Sequence, residues 1–175
     1  MECLKHGGVI AYPTEYCFGL GCDPTHERAV RRILAMKQRS WQQGLIVIAD
    51  QPGRLRTVID WHRPELLCPA LASWPGPHTW LLPARPQVAP WLRGRHPTVA
   101  VRVTAFPLAR ELCRDSRMAL VSTSANRSGR PPLRQGTAVL AEFGDDIDLI
   151  LDEPVGTATE PSTITDARTG ITLRG

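Results

Sequence analysis

The sequence predicts a single α/β domain over residues 1–175, built on a mixed β-sheet flanked by helices. Three observations carry this. Short apolar runs, too brief for buried helices, recur between turn residues. Between them lie stretches with apolar residues at helical spacing. The carboxyl-terminal end then holds two strand-like runs around a turn, which adds an antiparallel hairpin to an alternating pattern. At 175 residues and 42% hydrophobic content, the chain is long enough to bury a full core.

Gly7-Gly8 leads into Val9–Tyr12, a strand, and Pro13-Thr14-Glu15 turns out of it. Tyr16–Gly21 is apolar, with Gly19 and Gly21 leaving room for a backbone or ligand to come close. Asp23 is a good N-cap and Pro24 suits a first helical turn, so a helix is expected from there with Val30, Ile33, Leu34 and Lys37 on its inner face. Lys37 would end that stripe with its stem packed and its ammonium at the rim. A cation answering the helix dipole is the plainer alternative. Arg39 doubles the charge at that spot. Ser40–Gly44 reads as a loop and Leu45–Ala49 as a strand buried on both faces. Two short helices broken at Pro64 fill Gln51–Cys68, Trp74–Pro77 is a rigid turn, and His78–Leu82 is a strand. Arg85–Pro97, rich in proline and arginine, is expected as an exposed loop or short helix.

Thr98–Val103 reads as a strand with Thr98, Ala100 and Arg102 on one face. An arginine on a central strand needs an anionic or carbonyl partner. A structural salt bridge and a bound carboxylate or phosphate both stand at this point. Pro107 opens a helix with Leu108, Leu112 and Cys113 inward, leading to a buried strand at Met118–Val121. Ser122, Thr123, Ser124, Asn126 and Ser128 then crowd short polar side chains together before Gly129–Pro132 stops regular structure. Such a cluster either satisfies its own backbone as a turn or holds a ligand at the carboxyl end of a buried strand. Thr137–Phe143 is helical and ends at Gly144, Ile147–Leu151 is a strand, and Pro161–Asp166 pairs with Ile171–Arg174 around Ala167–Gly170.

Composition narrows the function classes. No apolar run approaches the ~20 residues of a membrane span, and the opening MECLKHGG has no signal-peptide apolar region. The five cysteines are scattered without a CxxC pair, as expected of reduced thiols in the cytoplasm. A metal site at Cys17, Cys22 and His26 is rejected, because both cysteines fall in an apolar segment. The net charge of +4 permits an anionic partner. Only Lys5 and Lys37 are lysines among the 21 basic residues, so a mid-chain lysine points to a place for a compact ammonium. There is no GxSxG elbow and no Walker A loop. What remains is a kit of cations and hydroxyls: Lys37, Arg39, Arg102 and Arg174 with Thr14, Ser122, Ser124 and Asn126. That kit suits phosphoryl or nucleotidyl transfer, where reactants are held in line and developing charge is neutralised. It equally suits a site that only holds phosphate.

YPTE-x3-GLG at Tyr12–Gly21, K-x-R at Lys37–Arg39, WPGP at Trp74–Pro77, TVAVR at Thr98–Arg102, STSAN-x-SG at Ser122–Gly129 and PSTI at Pro161–Ile164 together resemble the YrdC (TsaC) family of threonylcarbamoyl-AMP synthases. The resemblance implies a twisted α/β sheet with a concave, basic face for the nucleotide. It implies a reaction in which L-threonine, bicarbonate and ATP give threonylcarbamoyl-AMP and pyrophosphate. The adenylate then serves N6-threonylcarbamoyladenosine formation on tRNA, through a separate transferase complex. By motif match, Lys37 and Arg39 would be catalytic, and Lys37, Arg39, Thr98, Ser124, Asn126 and Arg174 would hold ATP. Thr14, Arg102, Ser122 and Ser162 would hold threonine. Magnesium would come on the ATP phosphates with no metal ligand from the protein.

Departures from the family pattern are an amino terminus of only Met1–His6 before Gly7-Gly8, and Ser40 where proline usually follows K-x-R. The arginine excess supports a second class, a non-catalytic module that docks on tRNA or double-stranded RNA through a basic face. Related hydrogenase-maturation proteins carry CxxC zinc modules that this sequence lacks.

Overall fold

Nine strands make one mixed sheet in the computed structural model, which describes residues 2–174. They are β1 (Ile10–Pro13), β2 (Phe18–Cys22), β3 (Ile46–Ala49), β4 (His78–Pro83), β5 (Thr98–Val103), β6 (Leu120–Ser124), β7 (Leu149–Ile150), β8 (Thr163–Asp166) and β9 (Thr172–Arg174). Their order is β7-β1-β2-β6-β3-β5-β4-β8-β9. The β1–β7, β3–β5 and β4–β8 pairs are parallel and the others antiparallel. The helices are α1 (Glu2–Lys5), α2 (Glu27–Met36), α3 (Pro64–Ser73), α4 (Pro90–Arg93), α5 (Pro107–Ser116) and α6 (Gly136–Phe143). None is long and apolar enough to cross a membrane.

Strand alternation sorts the side chains into two layers. Val47, Ala49, Val101, Val103 and Val121 point to one face, where Val30 and Ile33 of α2, Ala70 of α3 and Val139 and Phe143 of α6 cover them. Ile10, Tyr12, Ile48 and Leu120 point to the other, under Leu4 of α1 and Ala109, Leu112 and Cys113 of α5. Each fully buried Leu or Ile in these layers contributes roughly 1.5–3 kcal/mol. The second cover is the smaller. Register places Ile48 beside Arg102 and Leu120, and further along the same strands this face carries Ile46, Ala100, Ser122 and Ser124, which line a cleft.

Several expectations need correction. Helix α2 starts at Glu27 with His26 at its N-cap. Asp23 instead accepts from the backbone and hydroxyl of Thr25, closing a tight turn that precedes the helix. Pro52–Thr57 is a 3-10 turn, whereas α3 runs beyond Cys68 to Ser73 with Pro69 inside it. Ser40 caps a 3-10 turn over Trp41–Gln43. The Arg85–Pro97 stretch is less exposed than expected, because Val88 and Leu92 are buried in the core, Leu92 as part of α4. Strand β6 begins two residues late and runs on through Ser122–Ser124, so these hydroxyls sit on a strand facing the cleft. Gly144 continues into a 3-10 turn through Asp146.

Candidate functional site

The cleft is about 650 Å³ in volume, and its floor is made possible by two missing side chains. A Cβ on Gly21 would meet the Tyr12 ring at 2.8 Å, and one on Gly19 would lie 3.5 Å from the same ring. The room that Gly19 and Gly21 leave on β2 is therefore taken by Tyr12, reaching across from β1. Its hydroxyl donates to Ser122 Oγ on β6 at 2.8 Å. Burial, opposed by that hydrogen bond, pushes the Tyr12 phenol well above its ordinary pKa, so it stays a donor. Ser122 Oγ accepts this bond and keeps its own proton for the cleft.

Lys37 follows the last turn of α2 and is only 2% exposed. Its ammonium is turned inward: Nζ donates to the carbonyl of Ser124, to the carbonyl of Asn126 at 2.8 Å and to Asn126 Oδ1 at 3.1 Å. Three N–H groups meet three acceptors. The Lys37 carbonyl in turn accepts from Ser128 N at 2.8 Å, and Ser124 Oγ donates to Asn126 Oδ1 at 2.6 Å. One lysine thus pins the whole Ser124–Ser128 turn. A guanidinium fork is too broad for such a convergent set of oxygens, which accounts for a lysine in an arginine-rich chain. Burial, with the charge of Arg39 adding to it, lowers the Lys37 pKa to about 8.

Arg39 lies beyond the helix with Nε and Nη2 on the carbonyl of Gly44, at 3.3 and 3.2 Å. Arg174 on β9 donates from Nε and Nη2 to the Ser162 carbonyl, and from Nη2 to Ser162 Oγ at 3.1 Å. Arg93 donates to the carbonyls of Val88 and His96. All three line the cleft, and none is in an ion pair with a carboxylate among the described residues. Desolvation lowers the pKa of Arg39, while desolvation and then the charges of Arg102 and Arg39 lower that of Arg174. Guanidinium groups stay protonated under such shifts. This part of the wall is cationic and uncompensated.

Arg102 on β5 is different. It is 8% exposed, and its Nη1 donates to Glu15 Oε1 at 3.0 Å. The same oxygen accepts from Thr104 Oγ1 at 2.8 Å. Arg102 Nε is buried with no partner, an unmet donor that costs about 1–3 kcal/mol. Of the two readings kept open from the sequence, the salt bridge is present, and Nε is left without a protein acceptor among the described residues. Thr14 Oγ1 donates to the Cys17 carbonyl at 2.7 Å, leaving its lone pairs as acceptors.

Eight of the ten residues singled out in the sequence line this one cleft: Thr14, Arg39, Thr98, Arg102, Ser122, Ser124, Ser162 and Arg174. Lys37 and Asn126 do not line it; they stand behind Ser124. The expected ammonium at the rim is corrected to an ammonium in the interior, because the Ser124–Asn126 carbonyls offer more acceptors than the surface does. Ser162 Oγ already bridges Thr79 Oγ1 at 2.9 Å and Arg174. Sequence reasoning passed over Glu15, Tyr12, Arg93 and Asp166, which pairs with Arg168. For Glu15 the only signal was its place in the YPTE run. Tyr12 opens the same run, but its place in an apolar strand reads as core.

Comparison with known proteins follows the same line. The family model Sua5/YciO/YrdC, described as telomere recombination, matches residues 2–174. A threonylcarbamoyl-AMP synthase from Methylobacillus flagellatus is 51% identical over 98% of this chain and 94% of its own length. One from Nitrosococcus oceani is 52% identical over 98% and 92%. The crystal structure of P. abyssi Sua5 complexed with L-threonine superposes with a TM-score of 0.89 at 30% identity, over 98% of this chain. This chain spans half the length of that protein. On the strength of the family match and these two synthases, the chain belongs to the Sua5/YciO/YrdC family.

Proposed function

We propose that the protein is a threonylcarbamoyl-AMP synthase, converting L-threonine, bicarbonate and ATP to threonylcarbamoyl-AMP and pyrophosphate. The observation that carries this is a single cleft holding a charge-balanced arginine at Arg102 and uncompensated arginines at Arg39, Arg93 and Arg174. The first suits an amino-acid carboxylate, and the others suit a triphosphate. Relatives at about 50% identity carry the synthase name, which favours the enzyme over a module that only docks on RNA.

In this reading the threonine carboxylate lies on Arg102, with the hydroxyls of Thr14, Ser122 and Ser162 around the amino acid. The threonine ammonium gives up a proton, and the free amine joins bicarbonate with loss of water, giving a carbamate. A carbamate oxygen then attacks the α-phosphorus of ATP, and pyrophosphate leaves. Arg39 and Arg174 draw charge from the phosphates, with Thr98 and Ser124 placing the nucleotide and Asn126 holding the Ser124 hydroxyl from behind. Lys37 acts as a positioning residue, through the turn it pins. Magnesium, when bound, screens the phosphate charge and arrives on the nucleotide. The donors present fit this: the cleft offers hydroxyl and carbonyl oxygens, and of its three carboxylates among the described residues Glu15 and Asp166 are bonded to arginines, which leaves the exposed Glu160 alone. The adenylate would pass to a separate transferase complex that modifies tRNA in the cytoplasm.

Pyrophosphate release from ATP should require both threonine and bicarbonate, with threonylcarbamoyl-AMP as the product seen by mass spectrometry. Release unchanged by leaving out threonine would defeat the assignment, and salt-sensitive tRNA binding without adenylate would favour the RNA module.

A further inference from the structure

Glu15 is the one carboxylate set against the arginine assigned to the amino acid, and it is held on every side. Its Oε1 takes bonds from Arg102 Nη1 at 3.0 Å and Thr104 Oγ1 at 2.8 Å. Its backbone carbonyl accepts from Ala158 N at 3.0 Å, and the neighbouring Thr14 carbonyl accepts from Gly156 N at 2.9 Å. Gly156 packs so close that a Cβ there would come within 2.7 Å of the Glu15 carbonyl oxygen. Yet Glu15 lines the cleft, its side chain is 22% exposed, and Oε2 has no hydrogen-bond partner among the described residues. On Arg102, Nη2 likewise has no protein acceptor and Nε is unpaired. A fixed carboxylate oxygen and a fixed guanidinium edge therefore stand side by side, both unused.

We propose that Glu15 is a specificity-determining residue, accepting the ammonium of an α-amino acid whose carboxylate lies on Nη2 of Arg102, beside the buried Nε. This rests on the threonine-binding reading above. The pair is complementary to a zwitterion: a carboxylate on a carbon bearing ammonium matches it, whereas a carboxylate alone leaves Glu15 unpaired beside it and is repelled. A site that recognises by leaving the wrong ligand's partner unpaired discriminates strongly.

The experiment compares binding of L-threonine with binding of 3-hydroxybutyrate, the same skeleton without the amino group, by calorimetry on wild type, Glu15→Gln and Glu15→Asp. Wild type should prefer threonine by about ten- to a hundred-fold, the range of a charge-assisted hydrogen bond. Glu15→Gln keeps an acceptor for Arg102 and Thr104 but loses the charge. It should reduce the preference to a few-fold, with 3-hydroxybutyrate bound as well as before or better. Glu15→Asp, which keeps the charge, should retain more of the preference than Glu15→Gln.

A purely structural Glu15 predicts that both ligands shift together and that their ratio stays at the wild-type value; that result overturns the proposal. So does equal binding of the two ligands by wild type, which needs no variant at all. The two readings fail separately. Wild type that prefers threonine but makes no threonine-dependent pyrophosphate would sink the synthase reading, while active enzyme whose Glu15→Gln form keeps the preference would sink only this one.

Discussion

Arg102 lines the cleft and Lys37 stands behind its wall; both are buried cations, and they are held in opposite ways. Arg102 has its charge offset by Glu15 inside the protein. Lys37 has its donors spent on carbonyl and amide oxygens, with Arg39 near enough to lower its pKa further. Dipoles orient a cation without cancelling its charge, whereas a carboxylate does both. The difference teaches how one cleft can suit two unlike ligands. The balanced end favours a molecule with its own plus and minus charges, and the unbalanced end keeps its positive potential for a polyanion.

The sharpest way to break this contrast is Lys37→Ala. It strips the donor from two carbonyls and the Asn126 amide oxygen and frees the turn that carries Ser124. We expect a loss of about 3 kcal/mol in stability by denaturant unfolding. Pyrophosphate release should fall by about 10²–10³-fold. A variant as stable and active as wild type would mean that the inward ammonium holds nothing. Next in size is Arg39→Gln, which removes charge from the unbalanced end alone. The KM for ATP should rise by about ten-fold with the KM for threonine unchanged, and stability should fall by about 1 kcal/mol because both lost bonds go to one carbonyl, that of Gly44. Equal effects on both substrates would erase the distinction between the two ends.

The smallest effect is a titration. Lys37 has its pKa lowered from 10.5 to about 8, so the folded protein releases this proton before the unfolded chain does. Between those values the unfolded state binds more protons, and this group makes stability rise with pH. Activity should move the other way as the site loses its cation, falling by about five-fold from pH 8 to pH 9. A pH–rate profile with no limb near 8 would show that the Lys37 charge is not what the turn requires.

Periodicity made the main architecture legible. Val30, Ile33 and Leu34 announce α2, and the valine alternation of β5 announces its two faces. Local signals misled where two local structures compete: Asp23-Pro24 caps a turn as well as it caps a helix. Ser122–Ser124 looked like the end of a strand because a polar strand face makes sense only when no helix covers it, and that depends on how far α5 reaches. Lys37 was placed on the correct face with the wrong direction, since its acceptors come from residues almost ninety positions away. Glu15 needed a partner just as distant before its role was visible.

Gly156 ties these observations together. Having no side chain, it lets the irregular stretch between β7 and β8 rest directly on the backbone of Thr14 and Glu15. A few residues later the same stretch reaches Ser162, whose carbonyl and hydroxyl steady Arg174. The segment is thus a strap stitched to the backbone of Glu15 at one end of the cleft and to Arg174, which has no carboxylate partner among the described residues, at the other. The two ends of the cleft thus share one stretch of backbone even though their charges are organised apart.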